Sequence, residues 1–177
     1  VVCNGTPVTA VTFGTTNTGG TMTYDWTNNT PSIGLAATGT GNIAVFNAAN
    51  AGTSPVVATI TVTPSFTNAG VTCSGPAQTF TITVNPTGAV NDPADQVVCN
   101  GSPVTAVNFT TSNTGGTTTY SWTNSNAAIG LAAAGAGNIA AFNAVNAGTA
   151  PVTATITVTP HFTNAGVTCD GPVQTFT

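Results

Sequence analysis

The 177-residue chain contains itself twice. VVCNG opens at Val1 and again at Val97, and a shift of 96 positions aligns 81 residue pairs without a gap, 62 of them identical. Such a repeat constrains the architecture before any single residue does, because both copies must fold the same way. A 96-residue period is too long for a solenoid unit that leans on its neighbours. It matches an independent β-sandwich of about 100 residues. Residues 1–84 read as repeat 1, 85–96 (NPTGAVNDPADQ) as a Pro/Asp linker and 97–177 as repeat 2. Repeat 1 closes on TFTITVNP whereas repeat 2 stops at Thr177, truncated in its last strand, so a longer array is expected.

Within each copy, short alternating runs are separated by turn residues. Ala58, Ile60 and Val62 alternate with Thr59, Thr61 and Thr63, the period of a half-buried antiparallel strand. Phe80, Ile82 and Val84 repeat the pattern, and Met22, Tyr24 and Trp26 share one face of a third run. Ile43 and Phe46, and the stretch from Pro7 to Phe13, mark further strands. NTGG, TGTGN, NAGT and CSGP lie between them; Gly supplies positive φ in such turns and Asn tolerates it. Roughly seven short strands at this spacing predict an all-β chain of two tandem immunoglobulin-like sandwiches. Tyr24, Trp26, Tyr120 and Trp122 are the expected core aromatics. The two prolines of the linker predict a stiff connection that holds the domains end to end as a short rod.

There is no Lys, Arg or Glu, and the charged residues are Asp25, Asp92, Asp95 and Asp170, for a net charge of −4. Phosphate neutralisation needs cations, so nucleic acid is not an expected partner. A polybasic contact with anionic lipid fails for the same reason. No run approaches the roughly 20 apolar residues of a membrane helix, so direct membrane insertion is not expected. At 41% hydrophobic residues the composition is that of a folded chain.

Cys3, Cys73, Cys99 and Cys169 are 70 residues apart within each repeat. Four cysteines allow three pairings. The repeat favours Cys3–Cys73 and Cys99–Cys169, with each domain closing its own bridge. The crossed alternative sets Cys73 against Cys99 and sends Cys3 to Cys169 in the other domain; free buried thiols are a further alternative. A bridge within the repeat closes a loop that stabilises the fold by about 4 kcal/mol in the chain-entropy model. It also implies an oxidising compartment, and under tension it carries force past the chain it encloses.

VCNG near the start, TYxW, IGLAA, GxGNIxxF, ATITVTPxFTNAGVTC and GPxQTFTITVNP follow in that order. This order resembles the PKD-like domains found in tandem in large secreted surface proteins of Bacteroidota. The resemblance implies an extracellular location on the bacterial outer surface, in adhesins of the kind tied to gliding motility and type IX secretion. Better-known PKD domains follow the aromatic-x-Trp with an acidic loop, where this sequence has an Asn- and Thr-rich one.

His161 is the single histidine, and Ser65 stands at its place in repeat 1. With Asp170 and nearby hydroxyls a Ser-His-Asp site can be sketched. However, Asp170 aligns with Ser74 and Asp25 with Ser121, so no such site is common to both copies, and no enzyme is expected. No cofactor is expected either, apart from a weak calcium site at Asn91, Asp92 and Asp95, whose oxygens suit that ion. The strings beginning at Asn4, Asn28, Asn100 and Asn108 match Asn-x-Ser/Thr and receive no role. These residues predict structural stalk or spacer repeats whose partners are adjacent repeats of the same chain. A rival expectation is an adhesin module in which Thr, Asn, Tyr and Trp contact surface glycans; exposure of Tyr24 or Trp26 favours it. Lateral self-association is a third, because sheet edges are usually guarded by Lys.

Overall fold

Alternation becomes strand in both repeats. The computed structural model describes residues 1–177; 44% of them are in strands and 3% in helical turns, so the chain is all-β. Its contacts divide it into Val1–Pro86 and Thr87–Thr177.

The first unit holds β1 (Val2–Cys3), β2 (Pro7–Val8), β3 (Thr21–Asn28), β4 (Thr38–Thr40), β5 (Phe46–Asn47), β6 (Val56–Asn68), β7 (Val71–Ser74) and β8 (Gln78–Asn85). Its main sheet runs β1-β8-β6-β3-β4, with β7 also on β6, while β2 and β5 form a small second sheet. The register puts Trp26 opposite Val62 and Ile60 opposite Phe80, so the apolar faces coincide. Trp26, Ile33, Ile43, Ala58, Ile60, Val62, Ile82 and Val84 form one buried core. The threonines alternating with them lie on the opposite face, where Thr67 and Thr72 share a cross-strand hydrogen bond of 2.8 Å. Gly39 faces Trp26 across β3 and β4. A Cβ there would come within 2.1 Å of the indole, so the aromatic in β3 requires the glycine in β4.

The second unit repeats this with β9 (Pro103–Val104), β10 (Thr117–Asn124), β11 (Ala134–Ala136), β12 (Phe142–Asn143), β13 (Ile156–Asn164), β14 (Val167–Asp170) and β15 (Gln174–Phe176). Its sheet is ordered β11-β10-β13-β14, with β15 on β13, and β9 pairs with β12. Trp122, Ile139, Ile156, Val158 and Phe176 fill the core, with Phe109 and Val90. β15 pairs with Ile156–Val158, whereas β8 reaches back along β6 to Val56. A cavity of about 280 Å³ is bordered by Val104, Leu131, Ile139 and Phe142.

The expected pairing of cysteines within each repeat is not what forms. The disulfide is Cys3–Cys169, and Cys73 and Cys99 are free, exposed thiols. The reason lies inside each repeat. Cys3 is level with Asn85, one residue past the Val56–Val84 pair. Cys73 is level with Phe66 near the other end of β6. The stretch of β6 from Val56 to Phe66 spans roughly 33 Å at about 3.3 Å per residue. A disulfide holds its Cα atoms at about 5.5–6 Å. The second unit is built alike: the carbonyl of Cys99 accepts from Ser102 N–H at 3.0 Å, as that of Cys3 accepts from Thr6 at 3.1 Å, and Cys169 opposes Phe162. The spacing of 70 residues separates the two ends of one sheet.

The segment 85–96, read as a Pro/Asp linker, is divided between the two units. Asn85 ends β8 and is fully buried. Residues 87–96 belong to the second unit, and Val90 is a member of its core.

Candidate functional site

Residues 87–91 run extended over one face of the second unit. Asn113 grips them from two sides: its Oδ1 accepts from Ala89 N–H at 2.6 Å and its Nδ2 donates to the Thr87 carbonyl at 3.1 Å. Asn91 N–H donates to the Thr110 carbonyl at 2.8 Å, and its side-chain amide donates to Thr110 Oγ1 at 2.8 Å. Gly88 passes so close to the chain that a Cβ would lie 2.6 Å from the Pro160 carbonyl oxygen, and a Cβ on Gly171 would lie 1.7 Å from that of Gly88. Val90 then joins Phe109 and Trp122 in the core. Further along, Gln96 Oε1 accepts from Thr105 N–H at 3.0 Å, and Asp95 Oδ1 accepts from Thr177 N–H at 2.6 Å.

Of the three residues of the expected calcium site, Asn91 donates its side-chain amide to Thr110, Asp95 accepts from Thr177 N–H through Oδ1, and Asp92 is exposed. No cluster of three or more His, Cys, Asp or Glu side chains is present. Sequence reading missed the segment because Pro and Asp dominate it. The signal present was Ala89-Val90, an apolar pair with no reason to be in a solvated tether.

Trp26 and Trp122 are each 7% exposed. Tyr24 and Tyr120 are half-buried, stacked at 5.3 Å on Phe13 and Phe109 respectively. Burial raises the Tyr120 phenol above its ordinary value of 10.0, and a hydrogen bond with Thr111 opposes the shift. The aromatic-x-Trp pair therefore belongs to the core and its margin.

The third cluster lies on the outer face of the second sheet. Ser121 Oγ is 2.8 Å from His161 Nε2, and His161 Nδ1 is 2.6 Å from Asp170 Oδ1. The distances are those of a Ser-His-Asp triad. The setting is different, because the Asp170 side chain is 67% exposed, where a triad buries its acid. Ser121 sits within a strand paired on both sides, to Thr159 and to Ala136, so the neighbouring backbone is occupied by the ladder rather than aimed at an oxyanion. Repeat 1 places Asp25, Ser65 and Ser74 at the same three positions, with Ser65 and Ser74 hydroxyls 3.3 Å apart. Three of the differences between the copies therefore meet at one patch, where the acid moves from the β3 position to the β14 position and a histidine joins it. The patch is a cross-strand polar row, a common unit of sheet stabilisation.

No protein-family model matches the chain, and no curated protein matches it.

Proposed function

We propose that the chain is a pair of spacer repeats from a secreted cell-surface protein, immunoglobulin-like sandwiches of the PKD-like kind. They hold a distal adhesive region away from a bacterial outer surface. The carrying observation is that the segment between the repeats is folded into the second unit through Val90, Asn91 and Gln96, so little loose chain remains to pay out under load. The oxidised pair Cys3 and Cys169 supports an oxidising, extracellular setting. Burial of Trp26 and Trp122 favours the spacer over a glycan-binding module, which needs aromatic faces in solvent. Resemblance to gliding-motility adhesins of Bacteroidota is the basis for the cellular assignment.

The test is to place the two repeats between a surface anchor and an unrelated binding tip, and to probe the free chain on a glycan array. The spacer reading expects full tip function and no glycan bound. Glycan binding that Tyr24→Ala or Tyr120→Ala abolishes would replace it with the binding-module reading.

The triad-like distances in the row Ser121–His161–Asp170 define the rival to test, a hydrolase. A fluorophosphonate probe separates the two: the spacer reading expects labelling no greater than that of Ser121→Ala, and stoichiometric labelling of Ser121 establishes the enzyme.

A further inference from the structure

Repeat 1 carries, uncovered, the surface that residues 87–91 cover in repeat 2. A groove of about 890 Å³ on the first unit is lined by Phe13, Tyr24, Pro64, Phe66, Gly75 and Phe80, with the free thiol of Cys73 at its side. The matching residues of repeat 2 are Phe109, Tyr120, Pro160, Phe162, Gly171 and Phe176. There Gly88 abuts Pro160, and Val90 packs into the cluster of Phe109 and Phe176. Phe109 and Phe176 are 8% and 6% exposed, whereas Phe13 and Phe80 remain half-buried.

The groove is shaped in advance. Thr15 Oγ1 holds the Asn17 N–H at 3.0 Å, as Thr111 holds Asn113 at 3.0 Å. The side-chain amide that grips Thr87 and Ala89 in repeat 2 is thus present in repeat 1, on an exposed Asn17. Gly75 N–H donates to the Pro64 carbonyl at 2.8 Å, as Gly171 does to Pro160 at 2.9 Å. In repeat 2 a Cβ on Gly171 would strike the segment; on Gly75 its nearest neighbour would be Pro64 at 3.0 Å. Within repeat 1 a Cβ at Gly75 would need only the Pro64 ring to give by a few tenths of an ångström.

We propose that this groove is an acceptor site whose occupant is a segment of the Thr-Gly-Ala-Val-Asn type from another repeat, seated as Thr87–Asn91 is seated on repeat 2. The glycine of the occupant passes Pro64 and Gly75, its valine enters between Phe13 and Phe80, and Asn17 takes the two backbone bonds that Asn113 takes. The site holds whether or not the repeats act as a stalk.

The experiment joins a copy of residues 86–96 ahead of Val1, which places the segment at high effective concentration. The unfolding midpoint of repeat 1, followed by amide exchange in β3, rises by about 5 °C, and alkylation of Cys73 slows by about tenfold. Gly75→Ala removes both effects, each read against the unextended Gly75→Ala chain. Replacing the valine of the added segment by Asp does the same. An extended chain with unchanged midpoint and unchanged Cys73 alkylation overturns the proposal. So does a rise that survives both Gly75→Ala and the valine replacement.

Discussion

Phe13 and Phe109 occupy the same position of the same repeat, on the same tilted stack with a tyrosine at 5.3 Å, yet one is half-buried and the other is core. Cys73 and Cys169 differ more: the first is an exposed thiol and the second is oxidised and 2% exposed. None of these four residues differs in identity between the copies. For Phe109, what differs is the neighbour that reaches it, since Val90 packs against it and no residue of the first unit plays that part for Phe13. Residues 87–91 thus account for the different burial of the two phenylalanines. A boundary drawn where identity begins cuts through the second folding unit.

The comparison breaks first at the paired glycines. Gly171→Ala drives a Cβ into the Gly88 carbonyl oxygen and is expected to destabilise repeat 2 by about 3 kcal/mol, whereas Gly75→Ala changes repeat 1 by under about 1 kcal/mol. Differential scanning calorimetry of the two variants reads this; equal losses would mean that the segment does not lie where Gly171 is. Next, Val90→Ala removes two methyl groups from the second core and is expected to cost about 1–2 kcal/mol, read as earlier urea unfolding of repeat 2 with repeat 1 unmoved. Third, Asn113→Ala strands Ala89 N–H and the Thr87 carbonyl, for a loss of about 1–2 kcal/mol. Asn17→Ala is expected to be within about 0.5 kcal/mol of neutral.

The smallest effect is alkaline. The folded pKa of Tyr120 lies above its unfolded value of 10.0, chiefly through burial. Its contribution is therefore fully present below about pH 10 and declines as pH rises through the folded value. Tyr120→Phe should flatten the stability of repeat 2 in that range, measured by urea unfolding from pH 9 to 11.

Much of the fold was legible because it rests on alternation. Ala58, Ile60, Val62, Ile82 and Val84 turn inward, and the two tryptophans are core. The cysteine pairing was not legible, because sequence spacing says nothing about which end of a sheet a residue reaches; that follows from the register of β1 on β8 and β7 on β6. Val90 was hidden by its setting of Pro and Asp. The polar row at Ser121, His161 and Asp170 was readable in part: the copies differ at these three positions, but only the pairing of β10, β13 and β14 brings them together.

Each repeat carries its two cysteines at opposite ends of its sheet, so no repeat bridges itself. Pepsin digestion without reduction, at acid pH where thiol exchange is suppressed, tests it after free thiols have been alkylated. The expected product is one crosslinked peptide pair containing Cys3 and Cys169, with Cys73 and Cys99 alkylated. Recovery of Cys3 linked to Cys73 and Cys99 linked to Cys169 would contradict it.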